Sequence, residues 1–281
     1  MKCLSACGAP PGLISAGASH AVDADSREDD ASFFHGVDGL GDVADIGHDA
    51  AAVEEAHQRD GVRAIVSAAG EARAAGVPLK IVTIGPLTNL SLALRLAPEA
   101  FENNPGVSLV VMGGCGNGRG NATRLAEFNV YTDVTAAHHV FSSWPASSSI
   151  TVIPWDLCVA QPLPWSEYDA SIRNGGSSAA KFLSRVGEKV YSPAKDGEKR
   201  SMDGAVICDA LAVCAAIDAT VVACKEKVNV EVENNKESIA WGATVVDWGQ
   251  AYDGVKRVKE VDWVTKIDGG KYAAMMRKAF K

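Results

Sequence analysis

Three short apolar runs, each closed by a turn signal, constrain this fold more than any other feature of the sequence. Lys80 to Ile84 (KIVTI) is β-branched and runs straight into Gly85-Pro86. Val107 to Met112 (VSLVVM) ends on Gly113-Gly114, and Ser149 to Ile153 (SITVI) ends on Pro154-Trp155-Asp156. Runs of this length without polar alternation suit strands buried on both faces. Helical patterns lie between them, at Gly61 to Ala75 before the stop Gly76-Val77-Pro78 and at Leu87 to Leu96. This alternation predicts an α/β fold with a mostly parallel central sheet flanked by helices. Such sheets bind ligands in the loops beyond the carboxyl ends of their strands, so polar residues there are the first to consider.

The rest of the chain extends the pattern. Ala179 to Tyr191 and Gly204 to Ile217 read as helices, Val228 to Val232 and Ala243 to Val246 as strands, and Tyr272 to Phe280 as a basic terminal helix. Up to about Asp60 the sequence is rich in Gly, Asp and Ala and reads as loop, apart from a short strand near Gly12 to Ala16. No low-complexity linker divides the chain, which predicts a single domain over residues 1–281.

Composition excludes several classes of function. A net charge of −8 argues against a nucleic-acid partner, which needs clustered Lys and Arg. The Lys-rich stretches at Lys225 to Lys227 and Lys256 to Lys259 are interleaved with Val and Glu and read as solvated faces. Cys3, Cys7, Cys115, Cys158, Cys208, Cys214 and Cys224 form no C-x-x-C pair, which suits reduced thiols in a cytoplasmic protein. No apolar run reaches the ~18 residues of a membrane helix, and Gly and Pro interrupt the first residues as a signal peptide would not.

Gly114 to Gly120 (GCGNGRG) follows a strand and invites a dinucleotide-binding reading, but Arg119 and Asn121 stand where G-x-G-x-x-G needs glycine. A longer pattern is more specific: Met112-Gly113-Gly114, then Gly120-Asn121, then Ala126-Glu127-Phe128-Asn129, then Asp133. It resembles the inosine-uridine nucleoside hydrolase family in order and spacing. Phe34 to Gly41 (FHGVDGLG), Ile84 to Leu92 (IGPLTNLSL) and Asp209 to Ala212 (DALA) resemble three further family segments. Together they span roughly residues 12 to 250.

The resemblance implies a Rossmann-like nucleoside hydrolase fold and a hydrolase that splits ribonucleosides into free base and ribose, the chemistry of nucleoside catabolism. It implies calcium, which would orient a water and grip ribose oxygens. Carried over, Asn121 and Glu127 would bind the ribose 5′-hydroxyl and Asn129 the 2′-hydroxyl. Met112 and Phe128 would line the sugar pocket, the Ile84 carbonyl would be a metal ligand, and Asp209 would serve both metal and 3′-hydroxyl. Each residue also has a plainer reading. Asn121 and Asn129 suit turns that bond their own backbone, Glu127 a helix end, and Asp209 a helix cap. His35 borders the pocket or is simply exposed, and His138-His139 reads as surface or packing. The resemblance also suggests a homo-oligomer, a dimer or tetramer.

Three departures stand out. The family's D-x-D-P-G-x-D-D-A strand, source of most calcium ligands and of the general base, should lie some sixty residues before Phe34, and only 33 residues precede it here. The resemblance thus points to a truncated or divergent member lacking the first strands, with the catalytic base unassigned. Asp23, Asp25, Asp29 and Asp30 imitate the motif's spacing but read as an acidic loop. Cys208 stands where one branch of the family has the His that protonates the leaving base, and a thiol donates reluctantly at neutral pH. Trp241 replaces a common Arg. A catalytically inactive relic that keeps the ribose pocket is the alternative.

Overall fold

The computed structural model describes residues 8, 14–23, 31–43, 54, 56–102, 104, 106–191, 203–250 and 259–281. In chain order these form α1 (Ser32–His35), α2 (Gly61–Ala75), β1 (Leu79–Thr83), α3 (Thr88–Leu96), β2 (Val107–Met112), α4 (Phe128–Thr132), α5 (Val134–Ser143), β3 (Ile150–Ile153) and α6 (Trp155–Ala160). A short ribbon, β4 (Leu163–Pro164), leads to α7 (Trp165–Tyr168), α8 (Ser178–Val186) and α9 (Glu188–Tyr191), and pairs with β5 (Gly204–Ala205). The chain then runs through α10 (Cys208–Ile217), β6 (Val222–Val232), β7 (Thr244–Asp247), β8 (Lys259–Ile267) and α11 (Gly269–Ala279). No helix among the described residues is long and apolar enough to cross a membrane.

The six long strands make one sheet in the order β1-β2-β3-β8-β6-β7. Strands β1, β2, β3 and β8 are parallel, and β6 and β7 close the far edge antiparallel. Burial of β2 shows why all its residues but Ser108 are apolar. Val107, Leu109 and Val111 join one cluster with Leu90, Phe101, Val140 and Trp144, while Val110 and Met112 join another with Leu157, Tyr168, Leu211 and Tyr272. Alternate side chains point to opposite faces, so a strand covered by helices on both sides needs apolar residues at every position.

Strand β8 departs from the sequence reading, which assigns nothing between Asp247 and Tyr272. Its Val261 and Trp263 enter one cluster and its Val264 and Ile267 the other. Interleaved charges hide that pattern, yet they are partnered across the sheet, Asp262 to Lys225 and Glu260 to Lys227, each at 2.8 Å. The solvated-face reading holds for Lys225 and Lys227, while Lys259 turns inward and donates to the carbonyls of Pro145 (2.9 Å) and Ser148 (3.2 Å). The helix expected over Ala179 to Tyr191 is two, parted at Gly187, where an added Cβ would stand 3.0 Å from the Tyr168 hydroxyl and 3.1 Å from the Leu183 carbonyl. Gly204 and Ala205 are strand, so α10 begins at Cys208 and carries Asp209 in its first turn. Of the short strand near Gly12 to Ala16, Ala16 makes a single bridge to Asp60, and Gly12 and Leu13 lie outside the described residues.

Asp133 ties the layers together from a fully buried position. Its Oδ1 accepts from the Ala136 amide (2.9 Å) and so caps α5; its Oδ2 accepts from the Thr88 hydroxyl on α3 (2.7 Å) and the Val22 amide (2.8 Å). Three donors compensate the burial of the charge, and truncation would leave all of them unmet. Asp133→Ala is therefore expected to lower the unfolding free energy by about 3 kcal/mol in urea titrations at neutral pH. A loss below about 1 kcal/mol would show the tie to be dispensable.

Candidate functional site

The loop after β2 is built around one carboxylate. Glu127 is 2% exposed and caps α4: Oε1 accepts from the Asn129 amide (2.9 Å) and Oε2 from the Val130 amide (3.1 Å). Oε2 also accepts from the Gly114 amide (3.0 Å), which pins the carboxyl end of β2 to the helix that follows it. Gly114 has φ +81°, and a Cβ there would stand 2.9 Å from the Thr244 hydroxyl, so the position demands glycine twice over. Between these points the chain folds tightly, with the amides of Asn121, Ala122 and Thr123 converging on the Ala126 carbonyl.

This loop carries three more of the residues singled out from sequence. The Asn121 Oδ1 accepts from the Phe128 amide (2.8 Å), which places an exposed side chain beside the half-buried Phe128 and leaves its Nδ2 available. The Asn129 Nδ2 lies 3.1 Å from both the carbonyl and the sulfur of Met112, leaving Oδ1 available. Met112 is buried in the core beneath them. The turn reading of both asparagines is thus half right: each braces backbone with one end of its amide and keeps the other.

Asp209 meets the same site from α10. It is exposed, Ile207 rather than Asp209 holds the N-cap position, and the Asp209 charge acts on Glu127. Partial desolvation alone raises its pKa from 3.8 to about 6, with no hydrogen bond offsetting the cost. Glu127 is raised from 4.5 to about 7, first by burial and further by Asp209, against three backbone amides that favour its anion. After β1, Ile84 is 47% exposed at the carboxyl edge of the sheet. After β3, the Asp156 Oδ1 accepts from the Gly116 amide (3.0 Å), bracing the Gly-rich loop. Sequence reasoning flags Asp156 only by its place after a strand.

The remaining sequence candidates are structural or lie elsewhere. Asp38 accepts from the amides of Leu40 and Asp42, so the F-H-G loop closes on itself, and Asp42 pairs with Lys189 at 3.0 Å. His35 is exposed and stacks edge-on against Phe34. His138 and His139 contact the Val232 carbonyl and the Ser91 hydroxyl, which bears out packing. Trp241 packs on Tyr131 with ring centroids 5.3 Å apart. Asp23 pairs with Lys236 at 2.8 Å, while Asp25, Asp29 and Asp30 lie outside the described residues. A cavity of about 340 Å³ lined by Lys80, Ser108, Thr151 and Asp262 sits at the amino ends of the strands, away from this chemistry.

A mostly parallel sheet with polar side chains beyond its carboxyl ends defines an α/β protein, and that edge is its candidate ligand site. The family model described as inosine-uridine preferring nucleoside hydrolase matches residues 1–274, and the chain belongs to that family. It is 35% identical over 174 residues to the inosine-uridine preferring nucleoside hydrolase of Leishmania major, covering 60% of this chain and 50% of that protein. With the enzyme of the same name from Crithidia fasciculata it shares 31% over 222 residues, 78% of this chain and 64% of the relative. The chain thus spans about half to two thirds of the curated relatives it matches. A solved inosine-guanosine nucleoside hydrolase superposes with a TM-score of 0.83 at 25% identity, over 99% of this chain and 84% of that one. The fold is that of the nucleoside hydrolases.

The raised pKa of Glu127 has a measurable consequence. Its folded value of about 7 lies above the 4.5 of an exposed glutamate, so folding takes up a proton between those values. The favourable balance is complete below pH 4.5 and is lost as pH rises through 7, a change of up to about 3 kcal/mol. Asp209 acts in the same direction at lower pH. Urea unfolding from pH 4.5 to 8 is expected to show stability falling across this window. Glu127→Gln, though less stable overall because a donor replaces an acceptor, should flatten the slope; an unchanged slope would remove Glu127 as its source.

Proposed function

We propose that this chain is a single-domain ribonucleoside N-ribohydrolase, residues 1–281, whose described cleft binds the ribose of a nucleoside. The observation that carries this reading is the grouping of Asn121, Phe128 and Asn129 around Glu127, on which the Asp209 charge also acts. Family membership supports it, as do the named activities of the relatives.

The reaction adds water across the N-glycosidic bond. The bond to the base breaks with its electron pair, the ribose passes through an oxocarbenium-like state, and water oxygen closes on the anomeric carbon. The Asn121 Nδ2 donates to the 5′-hydroxyl, and the Asn129 Oδ1 accepts from the 2′-hydroxyl. Phe128 packs on the sugar above Met112. Asp209 accepts from the 3′-hydroxyl, a role that strengthens as pH climbs past about 6 and its carboxyl ionises. Glu127 has both oxygens engaged, so its part is to hold Asn129 and the Gly114 turn in place.

Calcium fits this set poorly. Asp209 and the Ile84 carbonyl are two oxygen donors against the roughly six to eight that calcium takes. Among the described residues no group of three or more His, Cys, Asp or Glu could hold a metal ion. The second reading is a site that binds ribose without cleaving the nucleoside.

One experiment separates the two. Purified chain is incubated with inosine and uridine in calcium-containing buffer, base release is followed by chromatography, and binding by calorimetry. Turnover is expected, with Asp209→Asn lowering kcat/KM by roughly 100-fold or more and Asn121→Ala mainly raising KM. Binding of inosine without base release would establish the second reading.

A further inference from the structure

We propose that the cavity at the amino ends of the strands is a second binding site, one that takes a phosphate monoester of sugar-phosphate size. Its volume of about 340 Å³ lies within the range of small-molecule sites. Neighbouring strands build its floor as one row. Val82, Val110, Ile153 and Val264 pack into the core cluster on one face of the sheet. Residues two apart share a face, so Lys80, Ser108, Thr151 and Asp262 point to that side as well. In the strand register Lys80 stands beside Ser108, and Thr151 beside Asp262. Lys80 is the one charged residue of β1, Ser108 the one polar residue of β2 and Thr151 that of β3. Sheet positions covered by helices ordinarily carry apolar side chains, so these exceptions in one row suit a polar occupant. Ala215 near the end of α10 and Ala219 in the turn after it offer only methyl groups, which leaves the space above the row open.

The row is rich in donors. Among the described residues the hydroxyls of Ser108, Thr151 and Ser149, which share this cavity, have no hydrogen-bond partner. Lys225 and Asp262 neutralise each other at 2.8 Å. Lys80 pairs with no carboxylate among the described residues; its ammonium donates to the Ala216 carbonyl at the end of α10 and keeps further N–H groups to give. One uncompensated ammonium beside uncommitted hydroxyls is a set that binds phosphate oxygens, by charge and by hydrogen bonds together. A bare phosphate would leave most of the volume empty. An attached pentose fills it, and its mixed surface suits a wall that alternates polar Ser149 with apolar Val222. The cavity lies at the other end of the strands from Asn129 and Met112, so it stands or falls independently of the nucleoside cleft.

The test is calorimetric titration of the full chain with ribose 5-phosphate, and with inorganic phosphate as a separate probe. Ribose 5-phosphate is expected to bind with a Kd below about 1 mM, inorganic phosphate more weakly, and both less well as salt is raised. Asn121→Ala alters the nucleoside cleft and not this cavity, so it should leave ribose 5-phosphate binding unchanged. Lys80→Met should weaken that binding about tenfold, a loss of about 1.4 kcal/mol. Thr151→Val and Ser108→Ala keep the shape of the floor, so they should each weaken it by a few fold even if Lys80→Met does not fold. The proposal is overturned if wild-type chain shows no saturable binding of ribose 5-phosphate. It is equally overturned if binding is lost in Asn121→Ala and kept in Lys80→Met or Thr151→Val, which would place the ligand in the cleft. Inorganic phosphate binding as tightly as ribose 5-phosphate would also overturn it, by showing that the cavity holds a bare ion.

Discussion

Glu127 is a carboxylate buried at 2% exposure between the end of β2 and the start of α4, and the geometry of the cleft depends on it. Removing such a group from water costs several kcal/mol unless donors replace the lost hydration. Three backbone amides do so, one from the Gly114 turn and two from the first turn of α4. Whatever fixes these amides also fixes Asn129 and Phe128, which follow Glu127 directly. Asp133 repeats the device one helix later, joining α5, α3 and the Val22 segment. Two buried acids thus fix the backbone from the end of β2 to the start of α5.

Asp209 is the opposite case. Its carboxylate is drawn partly out of water with no hydrogen bond in return, and its charge raises Glu127 further. Two acids at other helix starts are satisfied, Asp60 by the amides of Val62 and Arg63 and Asp268 by that of Lys271. An acid left uncompensated in this way can accept from hydroxyl donors that a ligand brings.

Much of the fold is legible in the sequence where the local pattern matches the tertiary environment. The runs at 80–84, 107–112 and 149–153 are strands because sheet positions covered on both faces select apolar residues without alternation. Strand β8 is hidden because Lys259, Glu260 and Asp262 break its apolar run, and only their partners across the sheet and at the Pro145 turn make those charges tolerable. Helices α4 and α6 are too short to show a period. Gly204 and Ala205 look helical in isolation and are strand because β4 supplies the hydrogen bonds.

Local pattern was enough for the class of fold, the family and the identity of the polar residues beyond the strands, because these rest on residues near one another in the chain. It left open what each polar atom is committed to. Glu127 reads as a helix-end charge or a ligand contact until its oxygens are found on three amides, and Asn121 and Asn129 divide between bracing and availability only once Phe128 and Met112 are in place. Nor does any pattern bring the Asp209 charge to Glu127. Those relations are distances across helix packing, and helix packing is fixed by burial of side chains from the whole chain, not by any segment alone.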